Sequence, residues 1–268
     1  MTIHAHMFWH GDPPRRLERL AIRSVLAQGY ALTLWSYAPL PNLPPGLIAA
    51  DAAEILPRSA LFTNRRGSIA SFTDWFRYIV LSRHGGLWTD SDVIALRPAS
   101  DLPARKFLVT QREWFHRRLR PRGWKTTLNN NVIFNPTPEP GDLVDLARAL
   151  AERFPKSAID WGELGPDLLT ALSRLHPAHG YAIMPPEFAN PVGYWQSPAA
   201  LLRPNPPRLS TPNLKPETAF LHAYGEMWRR AGISPDAPFP PAASSPPSPK
   251  LSASPTPDSA PRPSSKHY

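Results

Sequence analysis

SFTDWFRYIVLSRHGGLWTDSDVIALRP, residues 71–98, is the stretch on which the rest of the chain turns. Phe72, Trp75, Phe76, Ile79 and Val80 fall at i, i+3, i+4, i+7 and i+8, the spacing of a helix with one face against a core. Gly85-Gly86 supply the left-handed backbone on which such a helix stops. Leu87-Trp88-Thr89 and residues 93–96 then read as extended segments on either side of Asp90-Ser91-Asp92. If the backbone is extended there, alternation puts both carboxylates on one side. Asp74 and Arg77 come together elsewhere on the helix.

Two carboxylates one residue apart at a strand end are hard-oxygen donors that suit magnesium or manganese and leave positions open for water or phosphate. Unpaired, they repel and raise each other's pKa, so a bound divalent cation is an economical reason for their proximity. The same tripeptide also suits a plain turn, because Asp and Ser are turn formers. Similarly, Asp74 can be the fourth residue of a Ser71-x-x-Asp74 capping box, with Arg77 as its surface ion partner. That alternative explains neither the glycines nor the second acidic cluster.

Taken together, Thr73-Asp74-x-x-Arg77, a hydrophobic stretch, Gly85-Gly86, Trp88 and Asp90-Ser91-Asp92 resemble the hallmark of the glycosyltransferases with a DXD-containing sugar-binding region. That group takes in initiating mannosyltransferases of fungal glycans, lactosylceramide galactosyltransferases, bacterial capsule enzymes and large glucosylating toxins. The departures are small, Trp75 and Trp88 standing where other aromatic and small residues are usual. The resemblance implies that Asp74 and Arg77 hold the donor's sugar and phosphates, while Asp90 and Asp92 bind ribose and a manganese (or magnesium) ion on the diphosphate. Asp74, Arg77, Asp90 and Asp92 are thus the expected catalytic residues.

The rest of the chain fits an α/β protein. Residues 2–9 read as a strand, Asp12-Pro13 as a helix start, 17–26 as a helix and 31–37 as a second strand, a β-α-β opening. The family opens in the same way, and its strand-ending Trp, here Trp9 near Gly11, lies against the nucleotide base; a lone Trp is also a common core residue. His4, His6 and His10 are read as ordinary strand and loop residues rather than a zinc site, since no acidic or Cys partner stands nearby. A short helical piece is expected at 51–56, a strand at 106–110, and a loop at Asn129-Asn130-Asn131 running into a strand at 132–134. The family places an Asn before a strand here, close to the donor sugar, and Asn131 and then Asn130 match it. Helical spacing returns at 141–154 and 166–175, the latter after a Gly165-Pro166 that resembles one in the family. Residues 220–228, FLHAYGEMW, resemble its closing pattern, which implies Trp228 on the leaving phosphate and His222, with Glu226 as fallback, completing the metal sphere.

The 268 residues, 42% hydrophobic, can bury a sizeable core, and there is no Cys for a disulfide or thiolate site. No run approaches the ~18 apolar residues of a membrane span, so a cytoplasmic protein is expected, with room for peripheral membrane contact. Arg112, Arg117, Arg118, Arg120, Arg122 and Lys125 alternate with Trp114, Phe115, His116 and Trp124. Such mixing marks single-strand nucleic-acid binders as well as loops that meet anionic glycans or lipid headgroups, and it also describes a plain solvated loop. The acidic cluster argues against a nucleic-acid partner. From residue 233 onward Pro, Ser and Ala dominate, composing a tail expected to be disordered beyond a domain of residues 1–232. The expected whole is a GT-A-like fold, a mostly parallel central sheet flanked by helices. The resemblance makes it a manganese-dependent transferase acting with retention on a UDP-sugar or GDP-mannose and a glycan or lipid-linked acceptor, as in polysaccharide biosynthesis. A basic nucleic-acid binder and an inactive sugar-nucleotide-binding module are the alternatives.

Overall fold

The computed structural model describes residues 2–115, 123–197, 199–202 and 214–238. The strand β1 (His4–Trp9) alternates between two cores, with Ala5 and Met7 in one and Phe8 in the other. A strand buried on both faces belongs in the middle of a sheet. After it come α1 (Arg16–Ala27), β2 (Ala31–Ser36), β3 (Ile48–Asp51), α2 (Ala70–His84), β4 (Gly86–Thr89) and β5 (Val93–Ala95). Then follow β6 (Phe107–Phe115), β7 (Gly123–Asn135), α3 (Leu143–Arg153), α4 (Leu168–Leu175), β8 (Ala182–Met184), α5 (Pro186–Ala189), α6 (Ala199–Leu202), β9 (Phe220–His222) and α7 (Gly225–Arg230). The seven-stranded sheet has the order β3-β2-β1-β4-β7-β6-β8. β3, β2, β1 and β4 run parallel to their neighbours, as do β6 and β8, whereas β7 is antiparallel to both β4 and β6. This is the α/β, mostly parallel, helix-flanked arrangement expected.

The helical spacing in residues 72–80 does what it predicts. Phe72, Phe76, Ile79 and Val80 of α2 pack with Phe8, Leu108, Ile133, Val144 and Leu169 on one sheet face. Fully burying a side chain such as Phe76 contributes about 1.5–3 kcal/mol. The other face is covered by Ile22 and Val25 of α1, Phe188 of α5 and Phe220 of β9. α2 ends at Gly85, φ +66°, and Gly86, φ +85°, lies so close to β1 that a Cβ there would stand 2.4 Å from the His4 carbonyl oxygen. The two glycines therefore turn the chain from helix to sheet and let β4 pair with β1.

Several expectations need correction. α1 begins at Arg16, not at Asp12-Pro13, because Pro14 pushes the residue before it into extended backbone. Its first turn is closed by the Arg15 N–H donating to the Glu18 carboxylate at 2.8 Å. The strand expected to end at Thr110 runs on to Phe115 and forms a long hairpin with β7. Asn129-Asn130-Asn131 lies within β7, not in a loop. The polar triplet is the site of a register shift: Leu108 pairs with Ile133 but Val109 with Asn129, so 130–132 bulge out of the β6 ladder. Arg112 is paired with Glu187, and Lys125 with Glu113 at 2.6 Å; His116, Arg117, Arg118, Arg120 and Arg122 lie outside the described residues.

The start of the expected tail is packed. The Leu17 N–H donates to the Pro235 carbonyl at 3.1 Å, and the Arg16 N–H to the Asp236 carboxylate at 2.8 Å, so Asp236 serves the first turn of α1. Ile233 packs beside Leu17 and Trp228. The rest of that segment, 239–268, lies outside the described residues. Among the described residues no helix is long and apolar enough to cross a membrane.

Candidate active site

Asp74 and Arg77 sit one turn apart on α2, and both are buried, at 5% and 3% exposure. The Arg77 guanidinium meets Asp74 Oδ1 at 3.0 Å and Asp90 Oδ1 at 3.1 Å, donates to the Asn130 carbonyl, and lies over the Trp88 indole at 5.2 Å. Trp88 Nε1 donates to the same Asp90 oxygen at 2.8 Å, and Asn130 Nδ2 to Asp74 Oδ1 at 2.7 Å. A capping box is excluded, since Ser71 already lies inside α2, and a surface ion pair is excluded by burial. Burial pushes the Asp74 carboxyl up to about 6, with Arg77 and Asn130 pulling the other way. Gly165 closes over this pair: a Cβ there would stand 2.9 Å from both Asp74 Oδ2 and Asn130 Nδ2.

The acidic tripeptide is a turn, not extended backbone, with the Val93 N–H donating to the Asp90 carbonyl at 3.0 Å. The alternation argument therefore does not apply, yet the carboxylates still converge. They do so because β5, just beyond, pairs with β9 and sets His222 opposite Val93. Asp92 is clamped on both sides: its carbonyl accepts from the Ala223 N–H at 2.9 Å, and its Oδ2 from the Gly225 N–H at 2.7 Å. His222 Nε2 stands 3.3 Å from Asp92 Oδ1, and Asp90, Asp92 and His222 each offer a ligand atom within 4.8 Å of the others. Burial pushes the Asp90 carboxyl above the usual range against the pull of Arg77, and the charge of Asp92 adds to the rise. Burial acts on Asp92 too, but the His222 imidazole and the Gly225 N–H hold its carboxyl below that range. Two carboxylates of opposed shift beside an imidazole are a donor set that fits manganese or magnesium.

These groups share one cavity of about 460 Å³, whose walls include Asp74, Arg77, Asp90, Asp92, Asn130 and His222. A larger hollow of about 580 Å³ beside the start of α3 contains none of them, and its Lys106 is taken by Glu139 at 3.1 Å. The structure leaves other expected residues apart. Trp9 packs on the core beside α1, and its N–H goes to the Asp12 carbonyl at 2.7 Å. Trp228 is fully buried under the site, its N–H directed to the Ala223 carbonyl at 2.9 Å and Ser197 Oγ at 3.1 Å, so it stands away from the cavity wall. Asn131 lies behind the wall, donating to Asn190 Oδ1 at 2.9 Å, and its neighbours Asn129 and Asn130 face the cavity instead. Glu226 reaches the cavity, but Arg229 and Arg230 engage its carboxylate at 2.7 and 2.9 Å. Gln111, Glu113, Trp161, Tyr194 and Tyr224 also line the cavity. No motif announces them; they arrive on the extended hairpin, the 160–167 segment, the connection between α5 and α6 and the residues just after β9.

The description of one family model, a glycosyltransferase sugar-binding region containing a DXD motif, matches residues 49–108. No curated protein matches the chain. Among solved structures the chain is similar to a PaToxG glycosyltransferase, at 17% identity and TM-score 0.44 over 65% of this chain and 69% of that one. It is also similar to the apo-form glycosyltransferase GlyE of Streptococcus pneumoniae TIGR4, at 14% identity and TM-score 0.45 over 88% of this chain and 61% of that one. At that level of superposition neither likeness adds to what the residues of the site convey. The matched region holds α2, Gly85-Gly86 and the acidic turn, and through it the chain is similar to the glycosyltransferases whose sugar-binding region contains a DXD motif.

Proposed function

We propose that this chain moves a sugar from a nucleotide-diphosphate sugar, a UDP-sugar or GDP-mannose, to a glycan, lipid-linked or other hydroxyl acceptor, with metal dependence and retention of configuration. The observation that carries the reading is the joining of two clusters in one cavity, Asp90-Asp92-His222 and Asp74-Arg77-Asn130. A manganese or magnesium ion held by the first cluster would supply positive charge to the departing diphosphate. Arg77 adds a fixed charge beside it, and because its Nε, Nη1 and Nη2 groups have partners within the protein it acts through its field and by holding Asp74 and Asp90 in place. Asp74 and Asn130 bring a carboxylate and an amide to where sugar hydroxyls need acceptors and donors. Trp161, 44% exposed at the cavity, offers an indole face on which a sugar ring can lie.

Retention, an acceptor drawn from polysaccharide biosynthesis, and cytoplasmic work with peripheral membrane contact rest on the family resemblance and composition. The pairing of Arg112 and Lys125 with carboxylates favours the transferase over a nucleic-acid binder. Calorimetric titration of UDP- and GDP-sugars with and without Mn2+ tests the proposal. Binding is expected to need Mn2+ in the wild-type protein, and Asp92→Asn is expected to abolish both Mn2+-dependent binding and sugar transfer. An unchanged Mn2+ affinity in that variant removes the metal from the reading.

A further inference from the structure

Asn190 directly follows α5 and lies at a junction of β6, β7 and β9. Its Nδ2 donates to the Thr110 carbonyl at 2.9 Å. A carbonyl only accepts, so this bond fixes which end of the amide faces the site. Oδ1 then accepts from Asn131 Nδ2 at 2.9 Å and from the Tyr224 hydroxyl at 3.4 Å, and stands 3.2 Å from His222 Nδ1. Asn190 is 2% exposed and His222 8%. An Nδ1 without its proton would set two acceptor lone pairs against each other in a sealed place. On the other side of the ring, Nε2 faces Asp92 Oδ1 at 3.3 Å along the cavity wall, so that without a cation the carboxylate draws the same ring proton, and with a cation between them Nε2 is free to ligate. The Tyr224 ring, 3.8 Å from that of His222, holds the imidazole plane.

We propose that Asn190 is a positioning residue that keeps the His222 proton on Nδ1, so that Nε2 presents its lone pair beside Asp92 in the form a divalent cation requires. The inference rests on the metal reading of the site. A ligating imidazole generally gives its second N–H to a carbonyl or carboxylate, which sets its tautomer and orientation. Here a side-chain amide with its orientation locked by β6 does so.

Two measurements test this role. In the metal-free protein at alkaline pH, Asn190 and Asp92 compete for the single ring proton, and 15N shifts of the neutral His222 ring are expected to show the Nδ1-protonated fraction falling in Asn190→Leu. An Nδ1-protonated fraction that is the same in wild type and Asn190→Leu overturns the proposal. Next, Mn2+ affinity in the presence of UDP is expected to fall by roughly 10–100-fold in Asn190→Leu. That loss should vanish in a His222→Ala background; an equal loss in both backgrounds overturns the proposal by making Asn190 a structural residue. Should Asn190→Leu fail to fold, Asn190→Asp retains an acceptor and is expected to keep the Nδ1 proton, and its loss there also overturns the proposal. Wild-type protein that binds no Mn2+ removes the metal reading, and the tautomer measurement then decides the role of Asn190.

Discussion

Replacing Asp74 by Asn should stabilise the protein while disabling it. Asp74 is 5% exposed, and burial raises its carboxyl from the ordinary 3.8 to about 6 in spite of Arg77. A carboxyl with a raised folded-state pKa binds more protons in the native than in the unfolded protein between those values. Stability therefore falls as pH rises from 3.8 through about 6, and at neutral pH the charged form costs roughly 3 kcal/mol at ~1.36 kcal/mol per pH unit. The amide removes that charge and can leave an oxygen at the Oδ1 position, where Arg77 (3.0 Å) and Asn130 (2.7 Å) donate. Arg77 is not stranded, because Asp90 and the carbonyls of Asn130 and Thr73 remain its partners. At about 2–4 °C per kcal/mol for a chain of this size, the melting temperature should rise by on the order of 6–12 °C at neutral pH. The gain should shrink as pH falls from about 6 toward 3.8 and disappear below that, where Asp74 is protonated in native and unfolded chains alike. Paired melts of wild type and Asp74→Asn across that range, beside donor turnover, make the assay. A folded Asp74→Asn that melts below wild type at neutral pH, or by the same difference at every pH, would refute the reasoning. A gain in stability together with near-native turnover would leave Asp74 without a function in transfer.

Truncation offers a second check. Removing 239–268 should leave the melting temperature unchanged, whereas removing 233–238 as well takes Pro235 and Asp236 from the start of α1 and should cost about 0.5–2 kcal/mol, the range for a lost helix cap. Equal melting of the two truncated chains would show that these contacts contribute nothing. His6 supplies a third: burial, with His84 and His4 adding to it, lowers its pKa from 6.5 to about 4. The unfolded chain then binds more protons in that window, so the His6 contribution falls by roughly 3 kcal/mol as pH drops from 6.5 to about 4. The difference in unfolding free energy between wild type and His6→Leu should follow that slope, and a flat difference would mean that His6 is not buried neutral.

What could be read along the chain was what depends on neighbours in sequence. Phe72, Phe76 and Ile79 repeat with a helical period, Gly85-Gly86 break it, and 4–9 alternate, so helix, stop and strands were legible without knowing what they would meet. The sequence spacing of Asp74, Arg77, Asp90 and Asp92 was equally legible, but the convergence of Asp90 and Asp92 waited on the pairing of β5 with β9. Residues joined only by folding were not legible. His222 reaches Asp92 through the pairing of β9 with β5, and without the resemblance of its surrounding pattern it is one histidine among several. Asn190 carries no motif, and its place at the back of His222 comes from β6, β7 and β9 meeting there. Composition misdirected twice for the same reason: an Asn triplet suits a turn or a bulge alike, and Ser234-Pro235-Asp236 looks like linker until α1 presents unsatisfied N–H groups beside it. Burial likewise belongs to the tertiary structure, which turns Asp74 and Arg77 from an i,i+3 pair of about 0.2–0.5 kcal/mol on a helix surface into a charged cluster whose cost and placement point to the cavity.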